Sequence, residues 1–215
     1  MNSILNQSKN VWLCATSIVL LSSVTSCGSK SDDKGSPSGP ANPALIGKWM
    51  NGCTERTWFA IGASEEQIRN FSAAGEYEHD STIYSDGECK APDVRVFQQG
   101  TFTDLGSSAN VTNAHEINFT VTGKTLTPRS DSAVENLNKI SYCGISSWKK
   151  DEPSDVLGRN CLGETAAKGD VNFDIYRLDA ATKQLVFGRG TFLLDKGDDD
   201  SRPSELDEKH VFLQP

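Results

Sequence analysis

His115-Glu116-Ile117-Asn118-Phe119-Thr120-Val121 alternates apolar and polar residues with a period of two. Such a stretch puts His115, Ile117, Phe119 and Val121 on one face and Glu116, Asn118 and Thr120 on the other, the pattern of a half-buried β-strand. Val171, Phe173 and Ile175 alternate with Asn172, Asp174 and Tyr176 in the same way. The two apolar faces are expected to line one interior. Val94, Val96 and Phe102 share one side of a run over Val94–Thr103 that Gln98 and Gly100 interrupt. Shorter strand-like runs lie at Lys48–Thr54, Thr57–Ile61, Tyr77–Tyr84, Leu137–Tyr142, Lys183–Phe187, Thr191–Leu194 and His210–Gln214. Ser64–Phe71 fits either a short helix or a strand. Turn chemistry separates many of these runs: Ser85-Asp86-Gly87, Thr122-Gly123-Lys124, Asp179-Ala180-Ala181 and Lys196-Gly197-Asp198. Residues 44–215 therefore read as one all-β domain. An antiparallel up-and-down barrel of about 8–10 strands is expected, since closure removes exposed edges, with a sandwich as the alternative.

The chain has 215 residues and a formal charge of −8. That is room for one ordinary domain and some extra. The acidic balance argues against nucleic acid as the main partner, because phosphate binding needs a basic surface. No run of 18 apolar residues exists, so an ordinary membrane-spanning helix is not expected.

The N-terminus carries one basic residue, Lys9, and a mostly apolar stretch from Val11 to Val24 that ends in Val24-Thr25-Ser26-Cys27. This junction resembles the lipobox of bacterial lipoproteins. The resemblance implies a signal peptide over 1–26, cleavage before Cys27, and a diacylglyceryl group on the Cys27 sulfur, with palmitate among the acyl chains. Two or three acyl chains hold a protein on a membrane durably, where one does so only marginally. Gly28 and Ser29 follow, with no Asp at the second position, which by resemblance to the usual sorting rule implies the outer membrane. Residues 27–43 read as a lipidated tether. Ten of the 16 residues from Gly28 to Pro43 are Gly, Ser or Pro, too few apolar groups to offset ordering entropy. Its span is roughly 20–25 Å. Loss of Lys9 leaves a net charge of −9, so the tether, and no basic patch, must hold the domain at anionic lipid.

Gly47-Lys48-Trp49 opens the domain as a Gly-x-Trp, and it resembles the first-strand motif of lipocalins, whose Trp plugs one end of the barrel. Trp49-Met50-Asn51-Gly52-Cys53 with Tyr84-Ser85-Asp86-Gly87-Glu88-Cys89, and Cys143-Gly144-Ile145-Ser146-Ser147-Trp148 with Cys161, are similar to small bacterial lipoproteins with lipocalin-like domains. No Thr-Asp-Tyr second motif is present.

Cys14 leaves with the signal and Cys27 takes lipid, which leaves Cys53, Cys89, Cys143 and Cys161. An even count in an exported chain reads as two disulfides. Three pairings are open; Cys53–Cys89 with Cys143–Cys161 is preferred, because each joins neighbouring segments in an up-and-down order. A Cys₄ zinc site would want Cys-x₂₋₄-Cys pairs, which are absent.

Other chemistry finds weak support. Gly123-Lys124-Thr125 resembles the end of a phosphate-binding loop, but Asn118 stands where its first Gly belongs, and a hairpin turn is preferred. Ser146 and Ser147 each precede a Lys by three residues (Lys149, Lys150), the spacing of some serine acylases, in a stretch that Pro153 marks as a loop. His79, His115 and His210 lie far apart, and His115 reads as a packing residue. Asp195-Lys196-Gly197-Asp198-Asp199-Asp200 lacks EF-hand spacing and reads as a solvated hairpin loop. Trp58 and Trp148 read as core. The expectation is a non-catalytic, lipid-anchored envelope module with no cofactor or metal. It faces the periplasm or the cell surface and binds a small apolar ligand or an envelope protein inside or outside the barrel. A structural envelope component with a filled barrel and a hydrolase with an unrecognised site are the alternatives.

Overall fold

Among the described residues ten strands form: β1 (Gly47–Met50), β2 (Thr54–Glu55), β3 (Ser64–Phe71), β4 (Glu76–Tyr84), β5 (Pro92–Ser107), β6 (His115–Pro128), β7 (Ser154–Asp155), β8 (Val171–Asp179), β9 (Gln184–Gly188) and β10 (Leu206–Leu213). The structure, a computed structural model, describes residues 42–55, 64–163, 165–189 and 202–215. Neighbouring strands pair antiparallel in chain order, and β1 pairs with both β10 and β3. Eight strands (β1, β3, β4, β5, β6, β8, β9 and β10) thus close into a barrel, the expected all-β, lipocalin-like architecture. The short β2 and β7 pair with β3 and β6.

Several local expectations need correction. Lys48–Thr54 is two strands, because the chain breaks pairing at Asn51–Cys53, where the Asn51 side chain accepts from Gln67 N at 2.7 Å in place of a backbone carbonyl. Ser64–Phe71 is a strand, paired residue for residue with β4. Leu137–Tyr142 is not a strand. A helix, α1 (Asp131–Lys139), runs through its start; Ser130 caps it by accepting from Ala133 N at 2.9 Å, and Asp131 and Lys139 complement its dipole. Thr122-Gly123-Lys124 is not a turn. It lies inside β6, where Gln99 faces Gly123 and Gly100 faces Val121, so Thr122 is the extra residue of a β-bulge. The bulge shifts the alternation by one. Val121 and Lys124 both point inward, and Leu126 follows. The expected strands at Thr57–Ile61 and Thr191–Leu194, the turn at Lys196-Gly197-Asp198, the signal peptide and most of the tether lie outside the described residues.

The last correction concerns the inner face. β6 and β8 pair with Ile117 opposite Asp174, Phe119 opposite Asn172 and His115 opposite Tyr176. Paired residues share a face. The inner face of β8 is therefore Asn172, Asp174 and Tyr176, and Val171, Phe173 and Ile175 point out. Arg202 packs on this outer face at Phe173. That side chain donates to Ile117 O at 3.2 Å, Asp174 O at 2.7 Å and Asn118 Oδ1 at 2.9 Å, and lies over the Phe173 ring.

Inside, the core divides. At one end Leu45, Trp49, Phe71, Tyr77, Phe102, Ile117, Phe119, Tyr176, Leu185, Phe187 and Phe212 form an aromatic cluster drawn from the barrel wall. Its rings meet edge to face, as in Phe71–Phe102 at 5.1 Å, Tyr77–Phe119 at 4.8 Å and Phe187–Phe212 at 5.6 Å. The second cluster joins wall residues Ile83, Val94 and Leu126 to Ala133 and Leu137 of α1 and to Cys143, Trp148 and Val156. These last come from the long connection between β6 and β8. That connection also covers the edge of β6 that β8 leaves unpaired. Beyond the β7 pairs, Asp151 N donates to Pro128 O, Val156 N to Lys124 O, Gly169 N to Val121 O, and Val121 N to Asp170 O, all at 2.8–3.0 Å.

Candidate functional site

Register across the inner wall sets one transverse row: Trp49 opposite Arg69, Arg69 opposite His79, His79 opposite Gln98, and Gln98 opposite Lys124. It crosses five strands at the level of the aromatic cluster. Four of its members are polar, and His79, Gln98 and Lys124 are buried. The neighbouring row toward α1 holds Gln67, Ser81, Val96 and Leu126. Burying so many polar groups is unfavourable unless each finds a partner.

Most do. His79 Nε2 lies 3.1 Å from Gln67 Oε1, and Gln98 Nε2 donates to Tyr77 Oη at 2.7 Å. Ser81 donates to the buried Glu65. Asp174 Oδ1 accepts from Gly188 N at 3.0 Å. Two atoms are left over: Arg69 Nε and Gln98 Oε1 are buried with no hydrogen-bond partner. The Arg69 guanidinium carbon instead lies over rings, 3.8 Å from the Phe187 centroid, 5.3 Å from Phe212 and 5.9 Å from Phe119. Such cation–π contacts stabilise a guanidinium without supplying acceptors for its N–H groups. Gln67, Arg69 and Val96 point inward by register and still keep accessible surface, so the interior is not sealed around them.

Electrostatics within the row are consistent with this geometry. Burial pushes the His79 pKa well below its ordinary value, and Arg69 and Lys124 add to the effect, so the ring is neutral. Burial pushes Tyr77 up to about 12, partly offset by the Gln98 hydrogen bond and by Arg69. Burial lowers the Arg69 pKa, while the fields of Asp174, Tyr77 and Glu65 raise it. A guanidinium stays charged under such a shift. The row is suited to hold a polar group by fixed donors and acceptors, with rings beside it for an apolar body.

The residues singled out in the sequence fall in different places. Gly47 has φ of +126°, a conformation that favours glycine, and Gln214 Nε2 lies 2.9 Å from where its Cβ would be. Trp49 is 1% exposed and donates from Nε1 to Leu45 O at 2.8 Å, so it sits at the aromatic end and heads the polar row. Cys53 is bonded to Cys89, and Cys143 to Cys161, the preferred pairing. Cys27, Trp58 and the acidic run 195–200 lie outside the described residues.

Lys149 and Lys150 pair at the surface with Glu152 at 3.1 Å and Asp131 at 3.3 Å, in a stretch that is not helical. That does not place them on Ser146 or Ser147. Trp148 is buried in the helix-side cluster, its backbone held by the Asn138 amide. His115 is not in the row. It packs on the Tyr176 ring, 3.4 Å from Asp104 Oδ1, while Tyr176 Oη donates to Asp104 Oδ2 at 2.7 Å. Among the described residues no group of His, Cys, Asp or Glu is arranged for a metal.

Arg69, Gln98 and Tyr77 escaped notice because a polar residue in a strand reads as solvent-facing. One signal was available. Ser64–Phe71 has apolar residues on both faces, Ile68 on one and Phe71 on the other, so whichever face is inside must carry polar residues in with it. No family model and no curated protein matches the chain.

Proposed function

We propose that the chain is an exported, lipid-anchored module of the cell envelope. On this reading it works by binding a small ligand inside its barrel, without catalysis. The observation that carries the binding reading is the pair of unmet polar atoms, Arg69 Nε and Gln98 Oε1, on an inner wall whose neighbours keep accessible surface. A barrel whose only task was to be filled would gain stability from apolar residues there, since each unsatisfied buried group costs about 1–3 kcal/mol. Val24-Thr25-Ser26-Cys27 supports the anchor, and two disulfides suit an oxidising compartment. The rings of Phe119, Phe187 and Phe212 offer an apolar body its place, and the polar row offers a head group its own.

Native mass spectrometry of the protein purified from its own host tests the binding reading. A co-purified small molecule is the expected result. A bare mass, with no uptake of a fluorescent fatty acid or of a polar aromatic probe, would leave only an interaction module with a filled barrel. Intact mass of the membrane extract tests the anchor. The lipid increment should be present in the native protein and absent in Cys27→Ser; its persistence in that variant would overturn the assignment.

A further inference from the structure

Two unmet atoms of opposite character face the same interior, and together they describe a ligand. Arg69 Nε is buried with no hydrogen-bond partner, and the guanidinium carbon lies over the Phe119, Phe187 and Phe212 rings. A buried guanidinium N–H is costly unless an acceptor meets it. The planar guanidinium fork matches a carboxylate better than any neutral group. Gln98 is the complement: 2% exposed, its Nε2 spent on Tyr77 Oη, its Oε1 left as an acceptor. The reverse placement of its amide is less favourable, because the free NH₂ would then face a row that already holds Arg69 and Lys124. Between the two stands His79, neutral, its Nε2 engaged with Gln67. Arg69 and Gln98 lie two strands apart on one row, about 10 Å between backbones, and both point to the inner face.

We infer that the barrel binds a small organic acid that carries a hydroxyl or N–H donor near its carboxylate and an apolar, ring-sized body. The carboxylate meets the Arg69 fork. The donor meets Gln98 Oε1. The body lies against Phe119, Phe187 and Phe212. This inference rests on the binding reading above and narrows it. A purely apolar ligand would leave both polar atoms unmet, and a simple acid would leave Gln98 unmet. A site with unpaired groups discriminates strongly against ligands that fail to pair them.

Isothermal titration calorimetry on the purified, disulfide-intact protein tests this with three probes that share a phenyl body. Mandelate has both groups, phenylacetate lacks the hydroxyl, and mandelamide lacks the charge. Mandelate should bind tightest, with each of the other two weaker by about tenfold or more. Arg69→Lys should weaken mandelate and phenylacetate by a similar factor and leave mandelamide unchanged. Gln98→Leu should erase the preference for mandelate over phenylacetate. Thermal melts report whether each variant is folded, and if Arg69→Lys is not, the probe series on the unaltered protein decides alone. Mandelamide binding as tightly as mandelate would overturn the acid and leave the binding reading standing. Equal affinity for mandelate and phenylacetate would overturn the donor requirement. No heat with any of the three, nor with an apolar fluorescent probe, would overturn both.

Discussion

The two ends of the barrel are closed by different means. At the aromatic end the seal is made by the wall itself: Trp49, Phe71, Phe102, Phe119, Phe187 and Phe212 come from six strands spread over most of the domain. At the other end, wall residues Ile83, Val94 and Leu126 are covered by one contiguous stretch, α1 and the segment to Cys161, stapled by Cys143–Cys161. The first closure exists only when the barrel is complete. The second is a local unit laid over the barrel, and it is expected to open without it. Cooperative units of a fold often divide along such lines.

Breaking the first closure should break everything. Trp49→Ala removes a buried ring and its hydrogen bond to Leu45, and should cost about 3–5 kcal/mol, read as a shifted urea midpoint for the whole domain. Loss confined to one region by hydrogen exchange would show that the aromatic end is not the global seal.

The disulfides sharpen the contrast. On the chain-entropy model, Cys53–Cys89, with a separation of 36, contributes about 4 kcal/mol, and Cys143–Cys161, with a separation of 18, about 3 kcal/mol. Replacing Cys143 and Cys161 with Ser should speed exchange in residues 131–161 first, while amides of β3 to β5 stay protected. Equal acceleration in both regions would mean that the cap and barrel open as one.

The polar row lies within the aromatic end, and its pH response has a definite sign. The folded His79 pKa lies below its unfolded value of about 6.5. As pH falls through about 6.5 the unfolded chain gains a proton that the folded one refuses, so stability drops by up to about 1.4 kcal/mol per pH unit until the folded value is reached. Above about pH 7 this contribution is complete. His79→Gln should show a shallower loss over the same interval, and identical slopes would place His79 in contact with water.

The smallest effect belongs to the helix cap. Ser130→Ala removes the bond to Ala133 N and the one to Asp93, which ties the helix to β5. It should cost about 1 kcal/mol and appear in the exchange of α1 alone.

How much of this could be read from the residues depends on which interaction each answers to. The strands were legible where one face met solvent and the other the core, as in His115–Val121. The disulfides were legible because four of the six cysteines lie within residues 44–215 and chain order favours near neighbours. The fate of Leu137–Tyr142 was not, since Ser130 and Asp131 begin a helix whose apolar residues, Ala133 and Leu137, are few. The inner face of β8 was not legible either. Its outward Phe173 lies under Arg202, a contact between distant parts of the chain. The polar row was hidden twice. The Thr122 bulge turns Lys124 inward against the period, and Arg69 is accommodated by rings from three other strands.

The connection that caps the barrel also runs along β6, where Asp151, Val156 and Gly169 donate to carbonyls that β8 does not reach. An open strand edge of that length is a template for another molecule's strand. Reduction of Cys143–Cys161 frees the guard from its staple while the barrel stands, and the first event on reduction is therefore self-association, ahead of unfolding. Aggregation in reducing buffer should rise with protein concentration at temperatures where the barrel's circular dichroism is unchanged. On the export reading proposed above, the staple then matters most during passage, when chains are crowded and thiols are not yet paired.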